Sequence, residues 1–287
     1  MNTYKTRDIV LSILLLIMVI ALYSPILPGL YHDWFKYNNN SHGILVPFIS
    51  GYLLWKTRKK IAWENVSTSW IGFGITILSI ALYVVGYAGG IEILPRLMFI
   101  STIIGLAIFN WGPSVFSRIA FPLLFLFFMV PIPVSIESII SFPLQMWVTK
   151  VSCTIIQALS ISVLIEGNML HFANASLEVA EACSGIRSLT AYIMLGFLFA
   201  YMMRGKWMKR SLVVIVAVPL SFFVNIVRVT GTGILAHFYG SRVARDFLHE
   251  FSGMFVFAVG FVLLFLVYWF LDEKEVQERV SSDMKGT

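Results

Sequence analysis

"RGKWMKRSLVVIVAVPLSFFVNIVRVTGTGILAHF", residues 204–238, decides the fold. A short loop carrying Arg204, Lys206, Lys209 and Arg210 gives way to an apolar run, 211–238, whose one formal charge is Arg228. An apolar run of about 20 residues reads as a bilayer-crossing helix, because without water every backbone N–H and C=O must be satisfied inside the segment. The basic loop sets its direction. Short loops rich in Lys and Arg stay on the cytoplasmic side, so this run leads outward and Arg228 falls in its outer half.

The rest of the chain repeats the pattern. Of 287 residues, 58% are hydrophobic and only 13% are charged, against about a quarter charged in ordinary soluble domains. Further apolar runs lie at 9–28, 43–55, 70–88, 96–111, 119–134, 143–165, 188–203 and 250–271. Segments of about ten alternating residues, as in an outer-membrane barrel, are absent. The fold class is therefore all-α, a polytopic helical membrane protein. The run from Ile9 to Leu27 ends in "SPILPGL" without a small-x-small cleavage pattern and reads as a retained first span. The net charge of +6 comes from short basic loops that orient the chain, which excludes nucleic acid as a partner.

Counting crossings orders these runs. With Lys5 and Arg7 inside, and with "KTRKKIAW" after Trp55 and Arg118 also inside, five crossings bring the chain out near Pro133. Counting back one crossing from the loop at 204–210 also places Cys183 outside. Both hold only if 143–165 makes no net crossing. Gln145, Thr149, Lys150, Ser152, Gln157 and Ser160 interrupt that segment and Pro143 opens it. A lysine near mid-span costs about 2.5–3.5 kcal/mol at a bilayer centre, so the segment is expected to be an interfacial or re-entrant helix on the external side. The result is about eight transmembrane helices plus that helix, with both termini cytoplasmic. The alternation around "ANAS" predicts a short external hairpin. One integral-membrane domain over 1–272 and a short cytoplasmic tail over 273–287 complete the organisation.

Polar residues gather at the outer boundary. In "EVAEACSGIRSL", residues 178–189, Cys183 precedes a helix start with Ser184 beside it and Arg187 one turn on. The positive helix end and a nearby cation favour the thiolate, while Glu178 and Glu181 oppose it unless they are paired. The bland reading is a buried structural cysteine. Ser221, Asn225, Arg228 and Thr232 share one helical face. An intramembrane arginine points to function by default, its alternatives being a structural ion pair or snorkelling to the interface. In "SRVARDFLHEFSGMFVF", residues 241–257, His249 stands at the next membrane boundary with Asp246 and Glu250 nearby. A lone histidine there is ordinarily just an interfacial polar residue. Together, thiol, cation and imidazole suit acyl transfer: a thiolate attacks a carbonyl, a positive donor stabilises the oxyanion, and histidine protonates the leaving amine. No serine elbow, HExxH or phosphate loop competes with this.

"EACSGIRSL", then "NIVRVTGTG", then "FLHEFSG", in this order on a polytopic chain, resembles the exosortase/archaeosortase family of membrane cysteine transpeptidases. "DWFKYNNNSHGILVPFISGYLLW", residues 33–55, resembles that family's N-terminal motif, so the likeness covers most of the chain. The motif usually reads Asp-Pro-Asn-Tyr-Ser-His-Gly, and here stands "YNNNSHG", lacking the proline and the tyrosine before the serine. The resemblance implies a nucleophile at Cys183, a general acid/base at His249 and oxyanion stabilisation by Arg228. Ser184, Arg187, Asn225, Glu181 and Asp246 are candidate supporting residues, and His42 and Asn40 candidates for lining substrate access. The partners it implies are exported proteins with a C-terminal sorting signal, often Pro-Glu-Pro followed by a transmembrane helix and a basic cluster, together with membrane lipid. No metal and no cofactor is expected. The expected location is the bacterial inner (cytoplasmic) membrane with the site facing the periplasm. Two rival classes remain open. One is a transporter binding an anion at Arg228, which should show inverted repeats and broken helices; the other is a thiol oxidoreductase pairing Cys153 with Cys183.

Overall fold

A computed structural model describes residues 2–36, 38–58, 66–173, 175–179, 186–240 and 253–272. The chain is mostly helical, and each apolar run of the sequence becomes a helix. In order these are α1 (Asn2–Leu22), α2 (Leu27–Lys36), a 3-10 turn (Asn38–Ile44), α3 (Leu45–Thr57), α4 (Trp70–Ala88), α5 (Ile93–Phe125) and α6 (Val134–Ala158). Strands β1 (Val163–Glu166), β2 (Met169–Phe172) and β3 (Ser176–Glu178) follow, then α7 (Ile186–Met202) and α8 (Trp207–Tyr239). The last described helix, Gly253–Asp272, is α9. Among the described residues, five helices are long and apolar enough to cross a membrane: α4, α5 with its extension to Met129, α6, α8 and α9. There are six if Ile13–Leu22 and Leu27–Phe35, bent by 78°, form one broken span. The helices fall into two compact units, Met1–Pro133 and Val134–Thr287.

In the first unit the polar groups of the helices find partners inside. Tyr23 is fully buried; its hydroxyl donates to the Met98 carbonyl at 3.2 Å and lies 2.7 Å from Thr102 Oγ1. Ser50 donates from α3 to the Pro122 carbonyl at 2.6 Å. Helices α4 and α5 meet at glycines, where a side chain on Gly105 would fall 2.5 Å from Thr76 Oγ1 and 2.8 Å from its amide nitrogen. Small residues of this kind let helix backbones approach in lipid.

Helix α5 is not one rod. Gly112 has φ 77° and ψ 168°, a left-handed backbone that glycine adopts without steric cost, and Pro113 follows it. Asp33 pairs with Arg96 near the start of α5 at 2.8 Å, while the adjacent Trp34 donates to the Met129 carbonyl just past its end at 2.9 Å. A straight helix of this length would be about 50 Å long, beyond the reach of two neighbouring side chains. The chain therefore doubles back at Gly112, and the runs at 96–111 and 119–134 are separate legs.

In the second unit, α6 departs from the expectation of an interfacial or re-entrant helix. It is one continuous helix of 25 residues. Trp147 packs its ring on Phe222, Ser152 donates to the Ile226 carbonyl at 3.5 Å, and Ile156 meets Gly233. Contacts that advance together along both helices mean that α6 runs lengthwise beside α8 in the same direction. Three of the polar residues read as an interface signal, Gln145, Thr149 and Ser152, recur with Ser141 every three or four residues as a buried stripe, while Gln157 and Ser160 are exposed. Lys150 points out of the unit instead. The count of eight spans assumed that this segment does not cross, and its geometry removes that ground.

The hairpin predicted around "ANAS" is present and gains a third strand. The sheet is antiparallel in the order β1-β2-β3, with Glu166 opposite Met169 and Gly167, at φ +60°, first in the two-residue turn, where type II′ geometry requires positive φ. His171 on β2 links its neighbours, with Nδ1 2.9 Å from Ser176 Oγ on β3 and Nε2 3.4 Å from the Glu166 carboxylate on β1. Leu170, Phe172, Leu177 and Val179 bury the sheet against Val148 and Ile156 of α6 and Val229 and Ala236 of α8.

The glycine seam between α4 and α5 yields a test. Gly105→Ala forces a methyl group into Thr76 and should destabilise the protein by about 1–3 kcal/mol, the usual cost of overpacking. Gly74→Ala, on the same α4 but facing open space, should be neutral or slightly stabilising. Thermal unfolding of the two variants in detergent checks the contrast.

Candidate functional site

Arg228 anchors the candidate site. It lies on α8 on the face shared by Ser221, Asn225 and Thr232, all three buried, while Phe223 and Val227 on the other face are 57% and 49% exposed. The helical spacing thus turns the polar residues into the protein and the apolar ones toward lipid. Arg228 itself is half-buried. Its guanidinium lies over Gly253, the first residue of α9: a methyl group there would sit 3.1 Å from Nη2, 3.3 Å from Cζ and 3.5 Å from Nη1.

Helix α7 closes the third side. The Tyr192 hydroxyl donates to the Phe257 carbonyl at 3.0 Å, and the two rings stack at 5.2 Å with 21° between planes. Gly260 makes room for the Tyr192 ring and approaches Val224 of α8. Further along, Gly196 of α7 packs on Val214 and Ala217. These contacts run in opposite directions along α7 and α8, and again along α8 and α9. The first turns of α7 and α9 therefore stand level with Arg228.

The sequence-predicted residues divide accordingly. Arg228 and Asn225 share the inward face of α8, as the spacing indicated. Arg187 is on the first turn of α7, and Glu178 ends β3 as an exposed residue. Cys183, Ser184, Glu181, Asp246 and His249 lie outside the described residues. In the sequence, Cys183 precedes the first residue of α7 by three positions and His249 precedes that of α9 by four. Asn40 and His42 belong to the other unit, on its 3-10 turn, and both are half-buried. Cys153 is a buried free thiol of α6 within the apolar cluster of Val148, Ile156 and Phe172. Among the described residues no group of three or more His, Cys, Asp or Glu side chains is placed to hold a metal ion.

Sequence reasoning missed the construction beneath the "NNNSHG" turn. Gly43 is wedged under the Trp34 ring, where a side chain would fall 2.5 Å from Nε1, and it also lies against the Met129 carbonyl. Beside it is the Asp33–Arg96 pair, whose side chains are only 19% and 11% exposed. The available clue was Arg96, a charge at the head of an apolar run, which required a partner to be tolerated.

That pair is itself testable. Asp33→Asn leaves a largely buried guanidinium without its counter-charge and should destabilise by about 3 kcal/mol, whereas replacing both partners with leucine should recover much of the loss. Thermal unfolding in detergent reports both; equal losses in the single and double variants would contradict the pairing.

A family model described as transmembrane exosortase matches residues 34–266. The match runs from Trp34, beneath the "NNNSHG" turn, to Leu266, well inside α9. No curated protein and no solved structure matches the chain.

Proposed function

The chain belongs to the transmembrane exosortase family, membrane transpeptidases acting on proteins that bear sorting signals, and from that premise we propose a specific reaction. The protein is a cysteine transpeptidase that cleaves C-terminal sorting signals, of the Pro-Glu-Pro type, from exported proteins at the outer face of the inner membrane. Cys183 is the nucleophile, Arg228 the oxyanion donor and His249 the general acid and base.

One observation carries this reading. The Arg228 guanidinium is held on the seam where α7, α8 and α9 meet, level with the two helix starts that follow Cys183 and His249 in the sequence. An arginine that only snorkelled would turn toward the lipid face of Phe223 and Val227. Here the guanidinium instead lies over Gly253 at the start of α9. Orientation follows from the basic loop between α7 and α8: with that loop cytoplasmic, the start of α7, Arg228 and the start of α9 face outward. The count of eight spans is not carried into this reading. The family match runs through both units, so we treat them as one functional domain over 1–272.

The chemistry balances with these groups alone. The Cys183 thiolate adds to the scissile carbonyl carbon, forming a C–S bond and an oxyanion that the guanidinium stabilises. Collapse breaks the C–N bond, and His249 gives its proton to the departing amine of the signal helix. The thioester left on Cys183 is resolved by a second nucleophile, water or an amine, whose proton His249 takes up. Ser184, Arg187, Asn225, Glu181 and Asp246 support this centre. The apolar enclosure of Cys153 speaks against a Cys153–Cys183 redox couple.

Co-expression with a protein carrying such a signal tests the proposal by mass spectrometry of the product's new C-terminus. Cys183→Ala should leave full-length substrate in the membrane, and Cys153→Ser should process normally. Arg228→Lys should slow cleavage on the order of a hundredfold, because a point ammonium replaces a planar fork of donors. Normal processing by Cys183→Ala, or loss of processing in Cys153→Ser, would overturn the reading.

A further inference from the structure

We propose that Gly253 is a positioning residue for Arg228: it leaves the first turn of α9 bare so that the guanidinium lies flat against that backbone. This rests on the reading of Arg228 as the oxyanion donor. The geometry comes first. A Cβ on Gly253 meets within 4 Å the three terminal atoms of Arg228, at 3.1, 3.3 and 3.5 Å. Contacts of 3.1–3.3 Å are tighter than ordinary van der Waals contact, so a methyl group at 253 makes the guanidinium give way by a few tenths of an ångström.

The second observation is how α9 is held. Only 11% of its apolar stretch is buried, while Met254, Phe255 and Val262 face outward at 70%, 59% and 52% exposure. Its inward contacts include a stripe at helical spacing, Gly253, Phe257, Gly260 and fully buried Leu264, with Phe261, Phe265 and Tyr268 against Phe199 of α7 beside its inner end. Phe257 and Gly260 dock on Tyr192, and Leu264 joins the cluster of Phe199, Met203 and Val213. The contact between Gly253 and Arg228 is thus the outermost of these, and it lies four residues from His249 in the sequence. Gly253 sets the height of the guanidinium.

A steric loss at one atom group predicts a particular kinetic signature. Gly253→Ala in the full-length enzyme should lower kcat for signal cleavage on the order of tenfold with KM nearly unchanged, because an oxyanion donor acts in the transition state and not on bound substrate. Thermal unfolding in detergent should stay at the wild-type midpoint. The decisive comparison places the same substitution in the Arg228→Lys enzyme. The slimmer ammonium is not crowded by the methyl group, so the additional loss there should be less than twofold, a coupling that a general loosening of α9 would not produce. Equal losses in both backgrounds, or an unchanged kcat for Gly253→Ala, would overturn the assignment. If Arg228→Ala itself processed normally, the reading of Arg228 would fall, and this inference with it. Loss of cleavage in Arg228→Ala alongside full activity in Gly253→Ala would overturn the role of Gly253 alone.

Discussion

In lipid, a helix gains little by burying leucine, because the tails around it are just as apolar. What holds these helices is what lipid does not offer: hydrogen-bond partners, opposite charges and room for backbones to touch. Tyr23 between Met98 and Thr102, Ser50 on the Pro122 carbonyl, Asp33 against Arg96, and Ser152 facing Ile226 are all of this kind. So are the close approaches at Gly105, Gly196 and Gly260. Each places a polar or small residue in a seam and leaves the bulky residues outside, hence the many large hydrophobics exposed on the surface of the units.

The same constraint explains what was legible in the sequence. Existence of the helices was legible because apolar length is a demand of the bilayer, independent of the partner. The inward face of Ser221, Asn225, Arg228 and Thr232 was legible too, since helical period is local. What misled was polarity within a span. In α6, Gln145, Thr149 and Ser152 look like an interface when only composition is weighed, yet their spacing makes them the stripe that packs inside. The fold-back at Gly112 was legible only as a gap between apolar runs, since the glycine's left-handed backbone is a property of its neighbours' geometry.

For the site, the division is sharper. Arg228 announces itself, because a formal charge in an apolar run has few explanations. Gly253 does not: a glycine is a request for space, and its meaning depends on which side chain takes that space. Arg96 could have been found by the rule that flagged Arg228, and the structure gives the two arginines different answers. Arg96 lies 2.8 Å from a carboxylate and ties down a turn; Arg228 is laid across a helix start.

That contrast bears on why an enzyme of this kind divides its proposed machinery among three helices. A thiol, an imidazole and a guanidinium on one helix would be fixed relative to one another and closed to an incoming helix. In the proposed arrangement they come from before α7, from before α9 and from α8, so their register depends on helix packing. Helix α9 has the least burial of the five candidate spans among the described residues. Its stripe of Gly253, Phe257, Gly260 and Leu264 seats it: deep at Leu264 the helix is locked into a cluster, and at Gly253 it rests on a guanidinium. The arginine that closes this seam is also the group proposed to carry the reaction's charge, so α9 is seated where the oxyanion donor is in place.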